Sequence, residues 1–106
     1  MYKLKEWTFT GASGTKYQFS NLAKSDELPQ SPGILILGYA HPRGHLAGWQ
    51  VHPLLIHHSD NIHATFANSI EQQAAQLPLW NCNLILLEPS SSAREESVKD
   101  LEGILL

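Results

Sequence analysis

Six histidines fall between positions 41 and 63 of this 106-residue chain, at 41, 45, 52, 57, 58 and 63. Imidazole ligates metals and moves protons near neutral pH, so such a run invites both chemistries. His57, His58 and His63 surround one strand-to-helix junction and are the ligand candidates that spacing offers. His57 and His58 are neighbours on a strand, however, and must point to opposite faces, so they do not readily share an ion. His41 and His45 sit in a Gly/Pro-rich stretch with nothing to align them, and no cysteine pair accompanies them. These are therefore read as surface and junction histidines, with no cofactor expected. Cys82 is the only cysteine, which excludes an intramolecular disulfide; inside Trp80-Asn-Cys-Asn-Leu-Ile-Leu-Leu87 it reads as a small core residue. Gly11-Ala-Ser-Gly14 lacks the strand-to-helix elbow of a serine nucleophile, and no Lys-Ser or Lys-Thr pair follows it as a phosphate loop requires. It reads as a turn.

The elements around these residues follow from periodicity. Trp7-Thr-Phe-Thr10 and Tyr17-Gln-Phe-Ser20 alternate apolar with polar residues on either side of that turn, which predicts a β-hairpin. Residues 24–33 carry charges, two prolines and a glycine, and read as a loop. Gly33-Ile-Leu-Ile-Leu-Gly-Tyr39 has the apolar run of a strand covered on both faces. Residues 41–48 read as a loop, and residues 49–57 as a strand in which Pro53 marks a bulge or the true start. Ile62, Phe66, Ile70 and Ala74 recur every four residues behind Ser59 or Asp60 as N-cap, so a helix should run to Leu77-Pro78. Residues 82–87 form a further strand. Ser92-Ala-Arg-Glu95 fits a capping box before a helix lined by Val98, Leu101 and Leu105. The order is β, β, β, β, α, β, α.

Length sits near the mode of domain sizes, and one domain spanning residues 1–106 is expected. Net charge is −3, with five basic and three acidic side chains in residues 1–53 against two and seven in residues 54–106. That balance disfavours a polyanion partner. A nucleic-acid surface would have to use Lys3, Lys5, Lys16 and Arg43; Trp49 and Trp80 read as core or rim aromatics, or else as a partner-binding patch. No apolar run approaches the roughly 20 residues that span a bilayer, and the N-terminal residues lack the pattern of a signal peptide; no membrane association and a cytoplasmic location are expected. Ile104-Leu-Leu106 would sit better against a second subunit than in water, which points to self-association.

The hairpin, Trp7-Thr-Phe-Thr-Gly-Ala-Ser-Gly-Thr-Lys-Tyr-Gln-Phe19, resembles the W-x-F-T-G-A-S-G-x-x-Y-x-F segment of small stand-alone members of the GIY-YIG endonuclease superfamily. Pro32-Gly-Ile-Leu35 and Pro53-Leu-Leu-Ile-His-His-Ser-Asp-Asn-Ile62 resemble the two core motifs that follow it. The resemblance implies an α+β fold: a hairpin extension over residues 1–22, then a core over residues 32–106 with a small, mainly antiparallel sheet flanked by two helices. It also implies a cleft where two tyrosines, an arginine and a metal-binding glutamate cut a phosphodiester. Carried over residue by residue, those positions hold Leu35, Leu55, Thr65 and Val98. A leucine moves no proton, and a valine offers no oxygen to Mg²⁺. His57 also replaces the glycine of the second motif, where backbone would lie close to a ligand.

The sequence therefore predicts a catalytically inactive GIY-YIG-like domain, not an enzyme, that serves as a binding or assembly module. Salt-sensitive nucleic-acid binding through the basic N-terminal half is the second reading. A histidine-dependent metal protein is the third.

Overall fold

The computed structural model describes residues 4–44 and 48–105; Lys3, His45 and Leu106, singled out above, lie outside the described residues. Alternating apolar side chains set the first hairpin. Strands β1 (Glu6–Thr10) and β2 (Lys16–Ala23) pair antiparallel with Trp7 opposite Phe19 and Phe9 opposite Tyr17. Phe9 meets Phe19 edge to face, with ring centroids 5.6 Å apart, a favoured aromatic geometry.

The hairpin does not continue into the next strand. Strand β5 (Cys82–Leu87) inserts between β2 and β3 (Gly33–Pro42), and β4 (Trp49–Ser59) closes the far side, giving an all-antiparallel sheet in the order β1-β2-β5-β3-β4. The fold is α+β, as expected, and its element order is the one that the periodicity predicted. Gly33 to Gly38 are all buried, because β3 is covered on both faces. Ile34 and Ile36 join Phe9, Phe19, Val51, Cys82, Leu84 and Leu101 in one cluster, while Leu35 and Leu37 join Leu28, Ile62, Ile70, Ala74, Trp80 and Ile85 in another. The register between β3 and β4 slips where Leu37 faces Leu55 and Gly38 faces Pro53. Leu54 is the extra residue, so the bulge, rather than a strand start, explains Pro53. β3 also runs through residues expected to be loop, as far as Pro42.

One sheet face carries a helix in three pieces: α1 (Ile62–Thr65), a π-helical turn (Phe66–Ile70) and α2 (Glu71–Ala75). A stripe spaced every four residues drifts by about 40° per step on an ideal 3.6-residue helix. Widening one turn to the π form absorbs that drift, and Ile62, Ile70 and Ala74 all stay buried against the sheet. Neither Ser59 nor Asp60 caps the helix. β4 extends to Ser59, Asp60 bonds elsewhere, and Asn61 takes the role, its Oδ1 accepting from the Ala64 amide at 3.0 Å.

Helix α3 (Ser91–Leu101) covers the opposite face with Leu101 and Val98 and runs into a 3₁₀ turn, Glu102–Ile104. Its cap is Ser90, whose Oγ accepts from the Ala93 amide, so the expected box at Ser92 and Glu95 gives way to a cap two residues earlier. Glu88, just after β5, holds Ser90 in place by accepting its amide at 3.0 Å. Among the described residues, no helix is long and apolar enough to cross a membrane.

Candidate functional site

Two polar junctions tie α3 to the sheet. Asp100 accepts hydrogen bonds from the Ser13 amide (2.8 Å), the Ser13 hydroxyl (2.7 Å) and the Tyr17 hydroxyl (2.8 Å). Those bonds, led by the two from Ser13 and followed by that from Tyr17, hold its carboxyl below the usual carboxylate range. Desolvation first, and then Asp100, raise the Tyr17 phenol above its ordinary value. A Cβ on Gly11 would lie 2.1 Å from the Asp100 carboxylate, so the turn needs glycine where that carboxylate presses in. Gly11, Ser13 and Tyr17 of the hairpin motif thus form a socket for one side chain of α3, with Ser13 as a fastening rather than a nucleophile.

Arg94 is the second junction. Its guanidinium is buried, yet it donates to the Glu88 and Pro89 carbonyls (2.9 and 3.1 Å), to Asp60 Oδ1 (2.5 Å) and, weakly, to His58 Nδ1 (3.4 Å). The planar fork satisfies three neighbouring segments at once, the use for which arginine is suited.

The positions carried over from the nuclease resemblance lie on two sides of the sheet. Leu35 and Leu55 belong to the face under α1 and α2, whereas Val98 packs on the α3 face. Thr65, at the end of α1, borders the space above Leu35 together with His57, Ile62 and Ile70, and that space has no room for a water molecule. The four positions therefore do not share a cleft. His57 Nε2 is buried there without a hydrogen-bond partner, and burial, followed by the nearby His58, lowers its pKa from the ordinary histidine value.

The other candidates are dispersed. Lys5 precedes β1, and Lys16 opens β2 at the opposite end of the hairpin, as the pairing of Thr10 with Lys16 requires. Arg43 follows β3, three strand spacings or about 14 Å across the sheet from β1, and Trp49 opens β4, one spacing further. His57 and His58 face opposite sides, as expected; His58 meets Arg94, and His63 lies 3.9 Å from the Glu27 carboxylate. Among the described residues, no three His, Cys, Asp or Glu side chains gather as a metal site. Cys82 is buried, and its thiol is pushed up to about 11 by desolvation, so it is a poor nucleophile.

The structure adds two features. An open trough of about 530 Å³ runs between β2, β5 and the loop before β3, floored by Leu22, Pro29, Ile85 and Leu87 and edged by Gln18, Ser20 and Glu27. Its signal was the half-polar, half-apolar alternation of β2, which marks a face that helices leave uncovered. His41 and His52 meet across the β3–β4 ribbon, with their Nε2 atoms 3.1 Å apart. Their signal was the odd-numbered run Leu37, Tyr39, His41, which continues the β3 alternation into the supposed loop. In comparisons with protein-family models, curated proteins and solved structures, the chain matches none.

Proposed function

We propose that this chain is a non-catalytic binding or assembly module on a GIY-YIG-like β-β-α-β-α scaffold. One observation carries the reading: the space over Leu35, where a phosphate and its cation would have to dock, admits no water molecule, and Val98 lies on the reverse face of the sheet. Hydrolysis needs an attacking water, a proton acceptor and charge stabilisation converging on one point. The absence of room for that water over Leu35 supports the reading.

The trough between β2 and β5 supports a binding role, since its volume falls within the range of ligand-binding clefts and its floor is apolar. Leu87, 57% exposed at its end, leaves apolar surface for a partner or a second copy. The dispersed lysines and Arg43 favour this reading over nucleic-acid binding.

The test is a nuclease assay with Mg²⁺ or Mn²⁺ on single-stranded, duplex and branched DNA. No cleavage is expected; cleavage abolished by changing one named side chain would overturn the proposal. Light scattering over a range of protein concentrations reads self-association. Titration of labelled DNA at two salt concentrations should give no binding even at low salt.

A further inference from the structure

Tyr39, His41 and His52 share one face of the β3–β4 ribbon, on the turn side of the bulge. Tyr39 lies directly opposite His52 in the register, and His41 is two residues further along β3. The ring planes of His41 and His52 are parallel to within 16°, their centroids are 5.2 Å apart and their Nε2 atoms 3.1 Å apart, so the two nitrogens lie between the ring centres. The Tyr39 ring sits beside both, 5.1 Å from His41 and 5.9 Å from His52.

The remaining nitrogen of His41 sets the proton arrangement. His41 Nδ1 lies 2.8 Å from the Pro42 carbonyl oxygen, which can only accept, so Nδ1 carries the proton and Nε2 of the neutral ring presents a lone pair. Metal-ligating histidines are usually oriented in this way, with one ring N–H held by a carbonyl and the other nitrogen free.

We propose that His41 and His52 form a two-histidine site for a late first-row divalent cation, of which copper(II) is the tightest-binding member. At metal–nitrogen bonds of about 2.0–2.1 Å, nitrogens 3.1 Å apart subtend roughly 95–102° at the ion, between the square-planar and tetrahedral angles. The ion takes the place of the proton between the two Nε2 atoms as His52 transfers its N–H to Nδ1, and sits about 1.3 Å to one side of their line; each ring then turns by about 40°, a motion that the broad χ2 torsion of histidine permits and that lengthens the His41 contact with Pro42. Both side chains are half-buried, leaving a side open to water, which completes the coordination shell. The site is independent of the module reading above, because neither imidazole lies in the trough or over Leu35.

Copper(II) titrated into metal-free protein, followed by calorimetry and electron paramagnetic resonance, tests the proposal. One equivalent should bind, with hyperfine splitting from two imidazole nitrogens. His41→Gln and His52→Gln should each weaken binding by at least about tenfold and leave one coordinated imidazole, whereas His63→Gln should change neither readout. Zinc(II) titrated into the unmodified protein, read by side-chain NMR, needs no variant to fold: the ring signals of His41 and His52 should move first. Failure of the wild-type protein to take up one equivalent would overturn the proposal. So would undiminished binding in either glutamine variant, or ring shifts confined to His57, His58 or His63.

Discussion

Leu35→Tyr places on β3 the tyrosine that the proposed GIY-YIG-like reading would require there, and the packing around it sets the consequence. Leu35 is 2% exposed, and the space between it, His57 and Thr65 admits no water. Enlarging a side chain in such a core forces neighbours off their rotamers at a cost of roughly 1–3 kcal/mol. A buried phenol hydroxyl without a partner adds about 1–3 kcal/mol, so Leu35→Tyr should lose roughly 2–6 kcal/mol. A domain of this size is stable by about 5–15 kcal/mol in total, so much of the margin would go. Leu35→Phe separates the two costs, because it enlarges the side chain and adds no hydroxyl. Urea denaturation of the three proteins under one buffer gives the comparison. If Leu35→Tyr is as stable as the parent, the site is not filled and the reasoning fails. If it is less damaged than Leu35→Phe, the unpartnered His57 Nε2 has taken the hydroxyl. Neither variant should gain nuclease activity.

Three further outcomes follow, two from the junctions and one from His57. Gly11→Ala should lower the unfolding midpoint, because its methyl displaces the Asp100 carboxylate from its socket. Gly103→Ala, with nothing near its added Cβ, should stay within about 0.5 kcal/mol of the parent. Arg94→Ala should cost about 3 kcal/mol or more through its two carbonyl bonds alone, whereas Asp60→Ala should cost less than about 1 kcal/mol, since the Asp60 side chain is 93% exposed and its ion pair is largely screened; chemical denaturation ranks the pair. His57 has a lower pKa folded than unfolded, so below about pH 6.5 the unfolded chain binds the extra proton. The stability this residue contributes is full above that pH and is lost as pH falls toward the folded-state value, and His57→Gln should flatten the dependence seen in denaturation series between pH 7.5 and 5.

Strand and helix order were legible because they rest on local periodicity. Residues 82–87 are apolar apart from Asn83, and a strand with those bounds is what forms. The features that escaped depend on partners distant in the chain. Asn61 caps α1 because Asp60 is engaged by Arg94, 34 residues away, and no local rule anticipates that. The stripe through Val98 and Leu101 shows which side of α3 faces inward, but not which face of the sheet receives it; the carried-over nuclease positions failed to converge for that reason. Pairing His41 with His52 required the ribbon register, including one residue of slip at Leu54. The π turn was present in the four-residue spacing of Ile62, Phe66, Ile70 and Ala74, which is too long for a regular α-helix.

The place of β5 in the sheet has a consequence for biosynthesis. The amino-terminal ribbon of Trp7, Phe9 and Phe19 leaves the ribosome early, yet its hydrogen-bonding neighbour begins only at Cys82. Until residues 82–87 have been made, the inner edge of β2 stays open, and its aromatic side lacks both Leu84 and the Leu101 that will seal it. Closure over such a sequence separation is slow and leaves sticky edges exposed while it waits. A nascent chain stalled before residue 82 should therefore be a strong client for chaperones, whereas one released just beyond α3 should not.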